Sequence, residues 1–154
     1  YTYSHLYNLN TTGLRFFTVY GPWGRPDMAM YIFAEKILKG EPISVYNYGK
    51  MYRDFTYIDD IVSGVMSSIK NNFNCEIFNL GNNSSEKLMD VVSIIEARVG
   101  KKAIINYEPM QPGDVTRTFA DIEKSKLKLA FSPNTKIKKG ISQFLDWYLD
   151  YVSS

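Results

Sequence analysis

Apolar and polar positions along this chain switch between two periods, and the switches mark its elements. Tyr3, Leu6 and Tyr7 stand at near-helical spacing and read as the end of a helix. After a polar stretch at 8–13, the apolar run at 14–19 (Leu-Arg-Phe-Phe-Thr-Val) predicts one buried parallel strand, with Thr18 at its end. Residues 20–26 are dense in turn formers and predict a loop. Met28, Tyr31, Ile32 and Leu38 predict a helix stopped by Gly40. Strands are expected at 43–46 and 54–58, with a turn at 47–50 between them. Asp59 or Asp60 is expected to cap a helix that buries Ile61, Val62, Val65, Met66 and Ile69. A strand at 77–80 closes at Gly81. Ser84 or Ser85 is expected to cap a helix with the stripe Leu88, Val91, Val92, Ile95 and Val99. A strand at 104–107, a turn at 111–114 and helices near 122–130 and 137–152 complete the chain. Asp121 is expected to act as a cap. The last helix is expected to bury Ile137, Ile141, Phe144, Leu145, Tyr148 and Val152. Strands alternating with helices give an α/β fold class.

Composition narrows this picture. The chain has 154 residues, 45% hydrophobic and 22% charged, which excludes a disordered polymer and suits one domain, or a small domain with part of a neighbour. A net charge of +2 gives no ground for nucleic acid or an anionic membrane as partner. No apolar run approaches the roughly 18 residues of a membrane span. Cys75 is the single cysteine, so no intrachain disulfide is possible, and a reducing, cytoplasmic setting is expected. His5 is the single histidine, so no metal site of the His/Cys type is expected. The lysines between 124 and 139 read as a solvated helix face.

One pattern looks catalytic and is not. Tyr46-Asn47-Tyr48-Gly49-Lys50 spells Tyr-x-x-x-Lys, but such a pair needs a helix to share a face, and this one straddles Asn and Gly between strand-like runs.

Four segments, in this order, carry a resemblance. They are 14–28, which ends in Trp-Gly-Arg-Pro-Asp-Met; 45–60, which contains Tyr52-Arg53-Asp54-Phe55; Phe78-Asn79-Leu80-Gly81; and Gln111-Pro112-Gly113-Asp114-Val115 followed by Asp121. Together they resemble the extended short-chain dehydrogenase/reductase family of NAD-dependent nucleotide-sugar epimerases and dehydratases. The 23–28 loop is most similar to the glucuronate 4-epimerases within it. The resemblance implies the C-terminal part of a Rossmann-type parallel sheet plus a small α/β substrate-binding domain. Residues 1–27 would be the tail of the NAD-binding domain, and 28–154 mainly the sugar-nucleotide domain, with some segments returning to the first. The family's Gly-x-x-Gly-x-x-Gly turn and catalytic Tyr-x-x-x-Lys are expected upstream of Tyr1. No catalytic residue is therefore expected in this chain, and the chain alone is expected to be inactive.

The implied activity is the conversion of UDP-glucuronate to UDP-galacturonate through a 4-keto intermediate, with NAD as cofactor. Arg25 is implied to grip the sugar carboxylate, since a guanidinium forks onto a carboxylate; by itself it reads equally as an exposed loop arginine. Thr18 is implied to hydrogen-bond the sugar, and Phe16 and Phe17 to meet the nicotinamide, with core packing the other reading. Arg53 matches the arginine that meets the diphosphate, and Tyr46 or Val45 the position packed on uracil. Gln111, implied as a substrate-binding residue, stands where many relatives have an arginine that makes a second phosphate contact, and glucuronate 4-epimerases often have Gln there. Asp114 is a candidate for the ribose hydroxyls or for plain turn formation. Alternatives are another UDP- or dTDP-sugar epimerase, decarboxylase or dehydratase, or an inert binding module or remnant. A homodimer is expected for the intact protein and self-association for this chain, whose 14–19 strand would show a bare edge.

Overall fold

Pairing partners divide the apolar run at 14–19. In the computed structural model, which describes residues 1–153, β1 (Thr11–Phe16) runs parallel to β6 (Cys75–Leu80), and β2 (Thr18–Tyr20) runs parallel to β5 (Phe55–Tyr57). The Phe17 N–H donates to the Leu80 carbonyl at 3.2 Å, and the next amide, Thr18, donates to the Asp54 carbonyl at 3.1 Å. The expectation of one continuous strand fails here, and Thr18 begins a strand instead of ending one. Hydrophobicity reports burial and does not identify the neighbour. Nor is β1 fully buried, since Phe16 is 52% exposed.

Two further ladders complete the sheet structure. β3 (Pro42–Val45) is parallel to β8 (Ile104–Tyr107), and β4 (Tyr52–Arg53) is antiparallel to β7 (Glu86–Lys87). The helices are α1 (Thr2–Tyr7), α2 (Ala29–Lys39), α3 (Ile58–Lys70), α4 (Leu88–Val99), α5 (Glu123–Leu129) and α6 (Ile137–Ser153). Gly40 stops α2 as expected, with φ 72° and its N–H on the Ile37 carbonyl. Among the described residues no helix is long and apolar enough to cross a membrane.

Helix starts depart from the sequence reading. α3 has Tyr57 at its N-cap with no side-chain bond, and Asp60 instead accepts the N–H groups of Asn134 (3.3 Å) and Thr135 (3.0 Å). The carboxylate thus ties the helix to a distant loop. Val62, Met66 and Ile69 are exposed, because α3 packs through Ile61 and Gly64, and a Cβ on Gly64 would come 2.9 Å from Leu80 and Phe131. Ser84 and Ser85 do not cap α4: Ser84 donates to Glu86, and Ser85 to the Thr118 carbonyl. Asp121 does accept the Glu123 N–H at 3.1 Å, at the start of α5. Val152 is exposed, whereas Ile141, Phe144, Leu145 and Tyr148 of α6 are buried.

Burial organises two cores. One joins α2, α4 and α6 around Phe33, Ile37, Ile95 and Phe144; the other joins α3, β6 and α5 around Ile61, Phe78, Leu80 and Phe131. Beside the second core, Glu76 on β6 pairs with Lys124 and Lys128.

Candidate functional site

The carboxyl ends of β3 and β8 lie together because the strands are parallel. In open α/β sheets ligands gather at such ends. Tyr46 follows β3 directly, in a 3₁₀ turn (Tyr46–Gly49) where Asn47 and Tyr48 take φ of 49° and 52°. That turn docks on the end of β8 through the Tyr48 N–H to the Glu108 carbonyl (3.1 Å). Its backbone is not helical, so Tyr46 and Lys50 do not share a helical face. The 111–114 turn closes with the Asp114 N–H on the Gln111 carbonyl at 3.2 Å.

Beside these ends lies a cavity of about 620 Å³, within the range of small-molecule sites. Thr18, Tyr46, Arg53, Gln111 and Asp114 all line it. Arg53 is held as a fork. Its Nη1 donates to the Tyr52 carbonyl at 2.9 Å and its Nη2 to Asp114 Oδ1 at 2.7 Å, with the side chain 17% exposed. Asp114 Oδ1 also accepts the Val115 N–H at 2.7 Å. In this structure Asp114 therefore orients the arginine, a role its place in a turn does not reveal.

Arg25 and the two phenylalanines stand apart from that cavity. Phe16, Phe17 and Arg25 line a neighbouring pocket of about 340 Å³, and Val19, Tyr20 and Met28 line both. Arg25 is 75% exposed and pairs with Asp27 at 2.5 Å (Nη2–Oδ2) and 3.0 Å (Nε–Oδ1). The pairing holds Asp27 below the usual carboxylate range. The two guanidinium groups thus belong to adjoining pockets, not to one, and it is Asp27 that reaches the larger cavity.

Sequence reasoning overlooked several wall residues. Lys36 and Ser44 line the cavity from α2 and β3. Lys36 stands four residues after Ile32, on the face of α2 that lines the same cavity, so the spacing could have marked it. Asp54 is fully buried, with Oδ1 accepting the Asn82 N–H at 2.7 Å and the Thr56 hydroxyl at 3.2 Å, and Oδ2 accepting the Ala120 N–H at 3.0 Å. Its carbonyl holds Thr18, and Arg53 precedes it, so one residue fixes two walls. An acidic residue inside an apolar run was the available signal. Tyr20, between the pockets, has a buried hydroxyl without a partner among the described residues. Burial, with Tyr57 and Asp60 nearby, raises its pKa far above the ordinary tyrosine value.

Comparison with known proteins adds a second line of observation. The profile of the NAD dependent epimerase/dehydratase family matches residues 1–81, more than half of the chain. An uncharacterised protein of Methanocaldococcus jannaschii is 51% identical over 97% of this chain and 46% of its own length. UDP-glucuronate 4-epimerase 4 of Arabidopsis thaliana is 43% identical over 99% of this chain and 39% of its own. The crystal structure of UDP-glucuronic acid 4-epimerase from Bacillus cereus, in complex with UDP-glucuronic acid and NAD, superposes with a TM-score of 0.92 at 33% identity, covering 97% of this chain and 48% of that one. The chain spans about half the length of the curated relatives it matches.

Proposed function

Since the chain belongs to the NAD dependent epimerase/dehydratase family, we propose that it is the nucleotide-sugar-binding half of an NAD-dependent 4-epimerase that interconverts UDP-glucuronate and UDP-galacturonate. The observation that carries this reading is the gathering of Thr18, Tyr46, Arg53, Gln111 and Asp114 around one cavity, with the Arg53 fork already fixed. A diphosphate carries concentrated negative charge, and charge-assisted hydrogen bonds to a pre-oriented guanidinium suit it. Lys36 adds a second cation to the same wall. Tyr46 offers a flat face for the base, and Thr18 a hydroxyl for the sugar. The carboxylate of a hexuronic acid then reaches Arg25, in exchange for Asp27.

NAD, when bound, supplies the hydride acceptor for the sugar C4. Phe16 and Phe17 would meet it: they line an apolar pocket at the end of β1, which fits a flat ring. On this reading residues 1–27 complete the cofactor-binding sheet and most of 28–154 holds the sugar nucleotide. The chain alone binds NAD poorly and turns nothing over. Exposed Tyr3, Leu6 and Tyr7 on α1 give it a surface for self-association, and for dimer formation in the intact protein.

Calorimetric titration with UDP, UDP-glucuronate and NAD, alongside sedimentation, tests this. Nucleotide binding without turnover and a concentration-dependent mass are expected. Arg53→Ala is expected to weaken UDP binding by about 1.5–3 kcal/mol, roughly ten- to a hundredfold. A chain that ignores UDP, or an R53A variant that binds it as well as the parent, would sink the assignment.

A further inference from the structure

The Arg25 loop is held from outside the cavity, by aromatic side chains of α6. Trp23, two residues earlier, has φ 59°, a left-handed conformation that a bulky residue keeps only where its surroundings impose it. It is 77% exposed, so burial does not seat it. Ring contacts do: its centroid lies 5.3 Å from that of Trp147 and 5.6 Å from that of Tyr151. Trp147 and Tyr151 stand four residues apart on α6 and stack at 5.2 Å with 17° between their planes, which makes a preformed wall. The aromatic contacts continue inward. Phe144 lies 6.0 Å from Trp147, and Tyr148 meets Tyr31 of α2 at 5.0 Å. That same helix supplies Lys36 to the main cavity. The loop is also pinned at its base, because a Cβ on Gly21 (φ 141°) would come 2.5 Å from Ile58 Cγ2, and the Gly24 N–H closes on the Gly21 carbonyl at 3.2 Å.

We propose that Trp23, seated on Trp147 and Tyr151, is the positioning residue that holds Arg25 in the pocket adjoining the sugar-nucleotide cavity, so that α6 takes part in choosing an acidic sugar over a neutral one. The inference rests on the reading of Arg25 as the carboxylate-binding group. With the seat in place, Arg25 has only to exchange Asp27 for the ligand carboxylate. Without it, the carboxylate must first order the loop, and affinity falls by the cost of that ordering. A neutral sugar makes no use of Arg25 and loses nothing.

The test is calorimetric titration of the chain and of Trp147→Leu and Trp147→Phe with UDP, UDP-glucose and UDP-glucuronate. It is read together with near-ultraviolet circular dichroism, because the chain's 2 tryptophans are the pair in contact. Trp147→Leu is expected to lose about tenfold in affinity for UDP-glucuronate while its affinity for UDP and UDP-glucose is unchanged. Trp147→Phe is expected to restore most of the loss. In the parent chain UDP-glucuronate, but not UDP, is expected to alter the tryptophan signal. An unchanged ratio of UDP-glucuronate to UDP-glucose affinity in Trp147→Leu overturns the positioning role and leaves the proposed function standing. Equal loss for all three ligands assigns Trp147 to general stability and overturns it too. A parent chain that binds no UDP removes both readings together.

Discussion

Asp54 shows how much one buried side chain can organise. It meets two backbone amides and a hydroxyl, and its neighbours in sequence and in space are Arg53 and Thr18. Replacing it with alanine leaves buried donors unpaired, each at about 1–3 kcal/mol. Asp54→Ala is therefore expected to lower the free energy of urea unfolding by about 3 kcal/mol or more, and an unchanged urea midpoint would contradict this account. Tyr20 presents the opposite case. Its hydroxyl is buried without a partner among the described residues, so Tyr20→Phe removes a penalty and is expected to raise stability by about 1 kcal/mol, measurable as a higher midpoint. Placement was legible for some residues: Arg53 and Thr18, singled out in the sequence by the family resemblance, both line the cavity. Asp114 was harder, because a turn aspartate and an aspartate that orients an arginine 61 positions away look alike in sequence.

At the scale of elements, α6 is placed by a glycine. A Cβ at Gly140 would collide with the Tyr20 hydroxyl and come 2.8 Å from its Cζ. Alanine has the better helix propensity by about 1 kcal/mol, yet overpacking costs roughly 1–3 kcal/mol. Gly140→Ala is expected to destabilise on balance, and less so when combined with Tyr20→Phe, which removes the colliding oxygen. A thermal melt series of the two single variants and the double one checks the coupling. Helices with a strong apolar stripe, α2, α4 and α6, were legible because their buried side chains are large and regularly spaced. α3 was legible as a helix, with Ile61 on its buried side, but most of its buried face was not, because it packs through Gly64, a residue with no side chain to count. Nor were the starts of α3 and α4. The polar residues near them, Asp60 and Ser85, are engaged by segments far along the chain, at 134–135 and 118.

For the whole molecule, stability should depend on alkaline pH. Tyr148, packed between α6 and α2, is pushed up from an ordinary 10.0 to about 12, chiefly by burial. Tyr20 is raised as well, again mainly by burial. A folded pKa above the unfolded one gives stability that is intact below pH 10 and is lost as pH rises through the folded value. Between pH 10 and 12 the slope is about 1.4 kcal/mol per pH unit for each such tyrosine. Urea midpoints measured across that interval should fall, and fall less steeply in Tyr148→Phe; parallel curves would disprove the attribution.

The break at Phe17 has a consequence for motion. Consecutive amides there answer to different cores, Phe17 through Leu80 of β6 and Thr18 through the residue before β5. Partial opening of a protein releases amides in cooperative groups. Deuterium uptake at position 17 therefore follows the loosening of the α3–β6 core, and uptake at position 18 that of the α2–α4–α6 core. Two adjacent protons thus time the opening of the two cores separately.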